Sequence, residues 1–252
     1  MRFVFVHGGF HGAWCWQRTI PELARRGHQA IAIDVPGHGE RVGQEATMQG
    51  RLDAVTSVLQ PGDVLVGHSG GGFEITRAAD ARPDLVSHLV YLAAALPVEG
   101  LTMGESISYH EDGTVQENQD VTGMLGYLRF DSSGAASFAD RAGAREFFYH
   151  DCDEATADWA FDHLTPEIPG DTLTTTLSVP RFWAADLPRS FIRCQQDRSQ
   201  PRWQADVTIK RLGVDALTID TSHSPFLSRP AELAELLVHA TTTKPTGPLL
   251  PR

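Results

Sequence analysis

The sequence predicts an α/β fold, with one open, mostly parallel sheet of about six strands, helices on both faces and a helical cap insertion. Three observations predict it. Short apolar runs alternate with longer stretches of helical period along the 252 residues. The first two runs stop at His7-Gly8-Gly9 and Pro36-Gly37, which punctuate strands rather than helices. A stretch of 94 residues, 96–189, then separates the fourth run from the fifth without a clear strand.

The six strands are expected at Phe3–Val6, Ala30–Val35, Asp63–Gly67, Ser87–Ala94, Ser190–Cys194 and Asp215–Asp220. Continuous apolar runs of this length suit strands covered on both faces. Helices are expected over Trp16–Arg26, Thr47–Leu59, Gly72–Ala81 and Ala231–Ala240, the last opened by Pro230. Right-handed crossovers then give a parallel sheet. The long insertion shows helical patterns at Ala136–Tyr149 and Glu154–His163 and reads as a lid or subdomain. The expected organisation is a core over 1–95 and 190–242, a cap over 96–189 and a flexible tail over 243–252, where three Pro and a Gly interrupt any pattern.

Net charge is −11, and an acidic chain repels phosphate backbones, which excludes nucleic acid as an expected partner. From Glu105 to Asp171 fifteen acidic residues stand against three arginines, a local charge of −12. This is either a solvated face or a field at a site entrance that disfavours anionic substrates. Cys15, Cys152 and Cys194 are odd in number and far apart, so neither a disulfide framework nor a metal cluster is expected, and a reducing cytoplasm is the natural compartment. No apolar run approaches a membrane span or a signal-peptide core.

Gly67-His68-Ser69-Gly70-Gly71 matches G-x-S-x-G, between a predicted strand and a predicted helix. That context puts Ser69 on a strained turn with its hydroxyl above the sheet edge, and requires small neighbours at Gly67 and Gly71. The helix behind it aims free N–H groups at the site. A serine hydroxyl needs a base within hydrogen-bond reach. Of eleven histidines, His223 in Thr221-Ser222-His223-Ser224-Pro225 stands past the last strand, at the carboxyl edge where ligands bind in parallel sheets. Asp197 follows the fifth strand, which completes the order Ser, Asp, His of the α/β-hydrolase fold. Asp215 sits at the wrong end of its strand, and Asp220 is too near His223 in sequence to serve instead. The expected oxyanion-hole donors are the backbone N–H groups of Gly70 and Gly9, with Phe10 as the fallback for Gly9.

The run from Phe3 to Trp16, FVFVHGGFHGAWCW, resembles the N-terminal signature of the plant methylesterase and hydroxynitrile lyase group of α/β-hydrolases, shared by related bacterial esterases. The resemblance continues through Gly67–Gly71, Gln196-Asp197 and His223–Pro230, and is weak across 96–189. It implies the same triad, and a cap formed by the insertion. The lyases resemble one another in a threonine after the first-strand histidine and a lysine after the catalytic histidine. The matching positions here are Gly8 and Ser224, which lack the hydroxyl and the charge for cyanohydrin cleavage.

The leading expectation is a carboxylesterase acting through an acyl-enzyme on a small neutral, apolar ester, with no metal or organic cofactor. Phe10, His11, Trp159 and Trp183 are the substrate-binding candidates, with Phe147, Phe148 and Phe161 as further aromatic residues of the cap. The expected partner is the small-molecule ester, the chain acting as a monomer or homodimer. Lactonase, amidase and carbon–carbon bond hydrolase chemistry use the same triad, and a ligand receptor on this scaffold is an alternative from another class. Epoxide hydrolases and dehalogenases carry an aspartate where Ser69 stands.

Overall fold

The computed structural model describes residues 1–116, 123–168, 170–172 and 174–252. Its main sheet contains β1 (Arg2–Val6), β2 (Gln29–Ile33), β3 (Asp63–His68), β4 (Val86–Leu92), β7 (Arg189–Cys194) and β8 (Ala216–Ile219). The order is β2-β1-β3-β4-β7-β8 and every neighbouring pair is parallel. The chain runs outward from β1 to β2, then returns across β1 to β3, so the strand order reverses between β1 and β3. Ligands bind at the carboxyl ends of strands at such a reversal.

The continuous apolar runs are explained by burial on both sides. Along β1, Phe3 and Phe5 enter one core while Val4 and Val6 enter the other. Side chains of a strand alternate between faces, so one run of five residues serves both. The first core is closed by α1 (Thr19–Arg25) and α10 (Pro230–Ala240), through Leu23, Leu233 and Leu237. The second is closed by α2 (Met48–Thr56), α3 (Gly71–Ala81) and α8 (Arg202–Leu212), through Val55, Ile75 and Leu212. Thr47 caps α2 by accepting from the Gly50 N–H at 3.0 Å. The helix expected from Trp16 instead breaks into a 3-10 turn, Ala13–Trp16, and α1. Pro21 has no N–H to continue a helix from upstream, and it is tolerated only in the first turn.

Three expectations about the insertion and tail need correction. The cap contains strands: β5 (Leu128–Phe130) and β6 (Ala136–Phe138) form an antiparallel pair. The helix expected over Ala136–Tyr149 therefore begins only at α5 (Arg141–Ala144), capped by Asp140, and continues as a π-helical turn, Arg145–Tyr149. The insertion also holds short helices α4 (Met103–Ile107) and α6 (Glu154–Asp162) and a 3-10 turn, Met124–Tyr127, and α9 (Pro225–Ser228) follows β8. The end of the insertion also packs with the core. Helix α7 (Pro180–Ala185) is capped by Asp80 of α3, whose carboxylate accepts from the Arg181 and Phe182 N–H groups at 2.7 and 2.9 Å.

The tail is docked rather than loose. Arg189 is fully buried and reaches the Gly247 carbonyl at 2.8 Å, and Arg211 reaches the Pro251 carbonyl at 2.9 Å. The Thr246 and Gly247 N–H groups return to the Gly213 carbonyl. Burying a guanidinium is tolerated only where its donors find acceptors; the tail carbonyls complete a set that includes Leu187 and Leu212 for Arg189 and Pro97 for Arg211.

Candidate active site

Ser69 sits between β3 and α3 with φ of +51°, a left-handed conformation that is rare for a side chain other than glycine. The turn closes only because its neighbours are small. A β-carbon on Gly67 would meet the Gly71 carbonyl at 2.6 Å, and one on Gly71 would meet the Val6 carbonyl at 2.6 Å. The Ser69 carbonyl accepts from the Gly72 and Ala95 N–H groups at 3.1 and 3.0 Å. Because that carbonyl and the Gly70 N–H share one planar peptide, these two bonds fix the direction of the N–H.

The loop after β1 is held the same way. His7 Nε2 accepts from the Val35 N–H at 3.2 Å, so Nδ1 carries the proton and donates to the Gly8 carbonyl at 2.8 Å. This anchors the far end of the peptide that carries the Gly9 N–H. His11 Nδ1 donates to the Gly9 carbonyl at 2.8 Å, and its Nε2 accepts from the Tyr149 hydroxyl at 2.8 Å. Among the described residues, neither the Gly9 N–H nor the Gly70 N–H donates to a protein acceptor. The two glycines face each other, since a β-carbon on Gly70 would lie 3.8 Å from the Gly9 nitrogen. Phe10, the fallback donor, is excluded: its N–H is taken by Glu167 at 3.1 Å.

His223 and Asp197 are brought together past the ends of β8 and β7. His223 Nδ1 lies 2.7 Å from Asp197 Oδ2, and both side chains are buried. The other carboxylate oxygen accepts from the Ser199 and Gln200 N–H groups at 2.7 and 2.8 Å, so the aspartate is fixed by its own turn. Asp220 accepts from Gln196 instead, and Asp215 is exposed. Phe148 of the cap stacks on the His223 ring with centroids 5.5 Å apart. On its other side His68, the neighbour of Ser69, approaches to 4.5 Å and meets the His223 carbonyl at 2.9 Å. The Ser69 hydroxyl makes no hydrogen bond among the described residues; catalytic serine–histidine contacts commonly tighten only with substrate bound.

Burial keeps the surrounding imidazoles neutral. His7 is pushed well below its ordinary value by desolvation and by the nearby His38, and His68 by desolvation and by His223. Desolvation lowers His11 to about 3.

A cavity of about 350 Å³ opens beside Ser69. One wall is Gly8, Gly9, Gly70 and Gly71, and the apolar walls include Phe73, Met103, Ile107 and Phe130. The third wall is charged and was not legible in the sequence. Arg51 pairs with Glu167 at 3.1 Å and Glu74 at 3.7 Å, and Arg77 closes the network on Glu74 at 3.2 Å. Arg77 stands behind Glu74 rather than in the lining, and His38 also reaches Glu167 at 2.9 Å, so each carboxylate of this wall has a basic partner.

None of the four substrate-binding candidates lines the cavity. Phe10 packs against Phe138 and Phe148 in the seam between core and cap. His11 is spent on the Gly9 carbonyl and Tyr149. Trp159 packs on Trp14 and His163. Trp183 donates to Glu99 at 2.6 Å and belongs to the second core. All four are engaged in packing or hydrogen bonds outside the lining of this cavity. Of the acidic stretch, Glu167 alone among the described residues lines the cavity, while Glu105, Asp140 and Asp153 cap helices. Glu117 and Asp120 lie outside the described residues. Also among the described residues, no group of three or more His, Cys, Asp or Glu side chains is placed to hold a metal ion.

Residues 3–236 match the model of the alpha/beta hydrolase family. The chain belongs to the alpha/beta hydrolase family. The chain is 42% identical over 111 residues to an esterase, PIR7B, of Oryza sativa subsp. japonica, a match covering 40% of this chain and 41% of the relative. It is 28% identical over 260 residues to methylesterase 1 of Arabidopsis thaliana, covering 92% and 93% of the two chains. The crystal structure of polyneuridine aldehyde esterase superposes on the chain with a TM-score of 0.80 at 22% identity, covering 94% of this chain and 98% of that one. At that identity the likeness speaks for the fold.

Proposed function

We propose that the chain is a serine carboxylesterase. The observation that carries this reading is the 2.7 Å contact between His223 and Asp197, beside a serine at φ of +51° and two unsatisfied amides that face each other. In this mechanism His223 Nε2 takes the proton of Ser69 as its oxygen attacks the acyl carbon. Asp197 holds the Nδ1–H tautomer and stabilises the imidazolium. The Gly9 and Gly70 N–H groups receive the oxyanion, and being fixed in advance they cost no reorganisation. The proton passes to the leaving alkoxide, and water then repeats the sequence on the acyl-enzyme.

The cavity supports a small, neutral substrate with an apolar group, because Phe73, Met103, Ile107 and Phe130 line it and its charged wall is internally paired. The relatives called esterase and methylesterase support an ester rather than an amide, lactone or carbon–carbon bond. A cytoplasmic location is the companion proposal, supported by three thiols that stand unpaired and buried. No helix among the described residues is long and apolar enough to cross a membrane.

The test is a panel of methyl and aryl esters, lactones and amides against wild type and Ser69→Ala, with labelling by a fluorophosphonate probe. Wild type cleaves neutral esters fastest and is labelled at Ser69, and the variant does neither. Preferential cleavage of anionic esters, or tight binding of a small molecule without turnover or labelling, would sink the reading.

A further inference from the structure

We propose that Glu167, carried by the cap, is a positioning residue for the oxyanion loop, so that the cap completes a site whose donors lie in the core. The inference rests on the esterase reading above. The backbone of Glu167 is tied to the cap by two hydrogen bonds exchanged with Ala136 of β6, at 2.8 and 2.9 Å. Its side chain leaves the cap and enters the core. Oε2 accepts from the Phe10 N–H at 3.1 Å and from His38 Nε2 at 2.9 Å, and Oε1 accepts from Arg51 Nη2 at 3.1 Å.

The same cap segment holds the other end of Phe10. The Thr165 N–H donates to the Phe10 carbonyl at 2.8 Å. Phe10 is therefore gripped at both its N–H and its C=O by residues two apart in the cap. It needs the grip, because its φ of +63° is a left-handed conformation for a bulky residue. Such strain persists only where surrounding structure over-determines it. The residue before it is Gly9, which has no β-carbon to limit its rotation. Glu167 Oε2 also lies 3.0 Å from where a β-carbon of Gly9 would come, so the carboxylate packs on the donor residue.

A negative charge beside an oxyanion would oppose catalysis if it stood alone. Burial favours the neutral acid, but the hydrogen bond and charge of His38, the Arg51 guanidinium and the Phe10 N–H outweigh it and hold the carboxyl at about 2. Arg51 balances the charge, and what remains for the loop is a well-placed acceptor. The chain's sequence gives no sign of this, because residues 10 and 167 meet only when the cap folds over the core.

The experiment measures ester turnover by wild type, Glu167→Ala, Glu167→Asp and Glu167→Gln. Each is also titrated with an aryl boronic acid, whose adduct with a serine places an anionic oxygen in the hole. Loss of a whole oxyanion donor costs about 100- to 1,000-fold in kcat, so loss of its positioning is expected to cost about 10- to 100-fold. Glu167→Ala is expected to show that fall in kcat with KM within about threefold, and a parallel rise in the boronate inhibition constant. Glu167→Gln keeps an acceptor at the same reach and recovers most of the loss. Glu167→Asp keeps the charge but falls short by one methylene, and behaves like the alanine variant.

If Glu167→Ala does not fold, the Asp and Gln pair carries the test. The inference is overturned if the variants match wild type, if KM alone changes, if boronate inhibition does not follow kcat, or if Asp outperforms Gln. A wild type that neither cleaves esters nor labels at Ser69 overturns the esterase reading as well. One that does both, with Glu167 variants like it, overturns this inference alone.

Discussion

Gly8 and Ser69 touch so closely that a β-carbon on Gly8 would fall 2.7 Å from the β-carbon of Ser69. The same atom would lie 3.0 Å from His68 Nδ1 and 3.1 Å from the His68 carbonyl. None of these is the far end of a flexible side chain. Residue 8 is therefore glycine for a steric reason that acts on the elbow itself.

Substitution at Gly8 should displace Ser69. Gly8→Ala is expected to lower kcat by at least about tenfold, and to destabilise by about 1–3 kcal/mol, the usual cost of overpacking. The double variant Gly8→Thr with Ser224→Lys restores the two lyase side chains and is expected to show no cyanohydrin cleavage. Ester and cyanohydrin assays with thermal melts check this. A Gly8→Ala enzyme of wild-type kcat and stability would show that the loop has room to relax.

Asp197→Asn tests the orienting carboxylate. The amide oxygen still accepts from the Ser199 and Gln200 N–H groups, so the turn stays capped. His223 Nδ1 meets an N–H₂ and the wrong tautomer is favoured. The expected fall in kcat is about 10⁴, by analogy with the same change in other triads. The melting temperature should move by only a few degrees. Activity within tenfold of wild type would remove Asp197 from the triad.

Acid should unfold the protein through its buried histidines. His7, His11 and His68 are held neutral, their folded values lying below the unfolded value of about 6.5. Below pH 6.5 the unfolded chain binds protons that the folded one refuses, so stability falls as pH falls. His11 alone, folded at about 3, contributes a loss of about 2–3 kcal/mol by pH 4.5, two units below its unfolded value. Glu167 acts in the same direction lower down, since its stabilisation is lost between about 4.5 and about 2. Urea unfolding at pH 7.5, 6 and 4.5 reads this slope. A flat profile over that range would mean the imidazoles are not desolvated as described.

The tail should matter to stability more than to chemistry. Removing residues 244–252 takes the Gly247 and Pro251 carbonyls from Arg189 and Arg211. Burial lowers Arg211 to about 10, so the guanidinium has lost hydration that these carbonyls partly replace. Charge-assisted bonds are worth about 1.5–3 kcal/mol each before water replaces them. A loss of about 2–3 kcal/mol, or some 4–12 °C in melting temperature, is expected, with kcat of the folded enzyme retained. An unchanged melting curve would show the tail to be dispensable.

The sequence by itself determined the sheet, the elbow and the paired acid and base. These are encoded locally: a strand, a turn or a helix start is specified by neighbours, and parallel topology then brings the strand ends to one edge. Ser69, Asp197 and His223 each stand just past a strand, so knowing the strands is enough to gather them. Only the tertiary structure decided how the cap meets the core. Aromatic residues in the cap serve packing or substrate with the same composition, and their sequence cannot say which. Arg51, Glu74 and Glu167 come from helix α2, helix α3 and a cap loop, and each looks like surface charge until the fold pairs them, with Arg51 and Glu74 buried and Glu167 half-buried. The docked tail was unreadable for the same reason: its backbone carbonyls carry no signature of the arginines they serve. Local rules placed the proposed triad, and long-range burial chose what surrounds it.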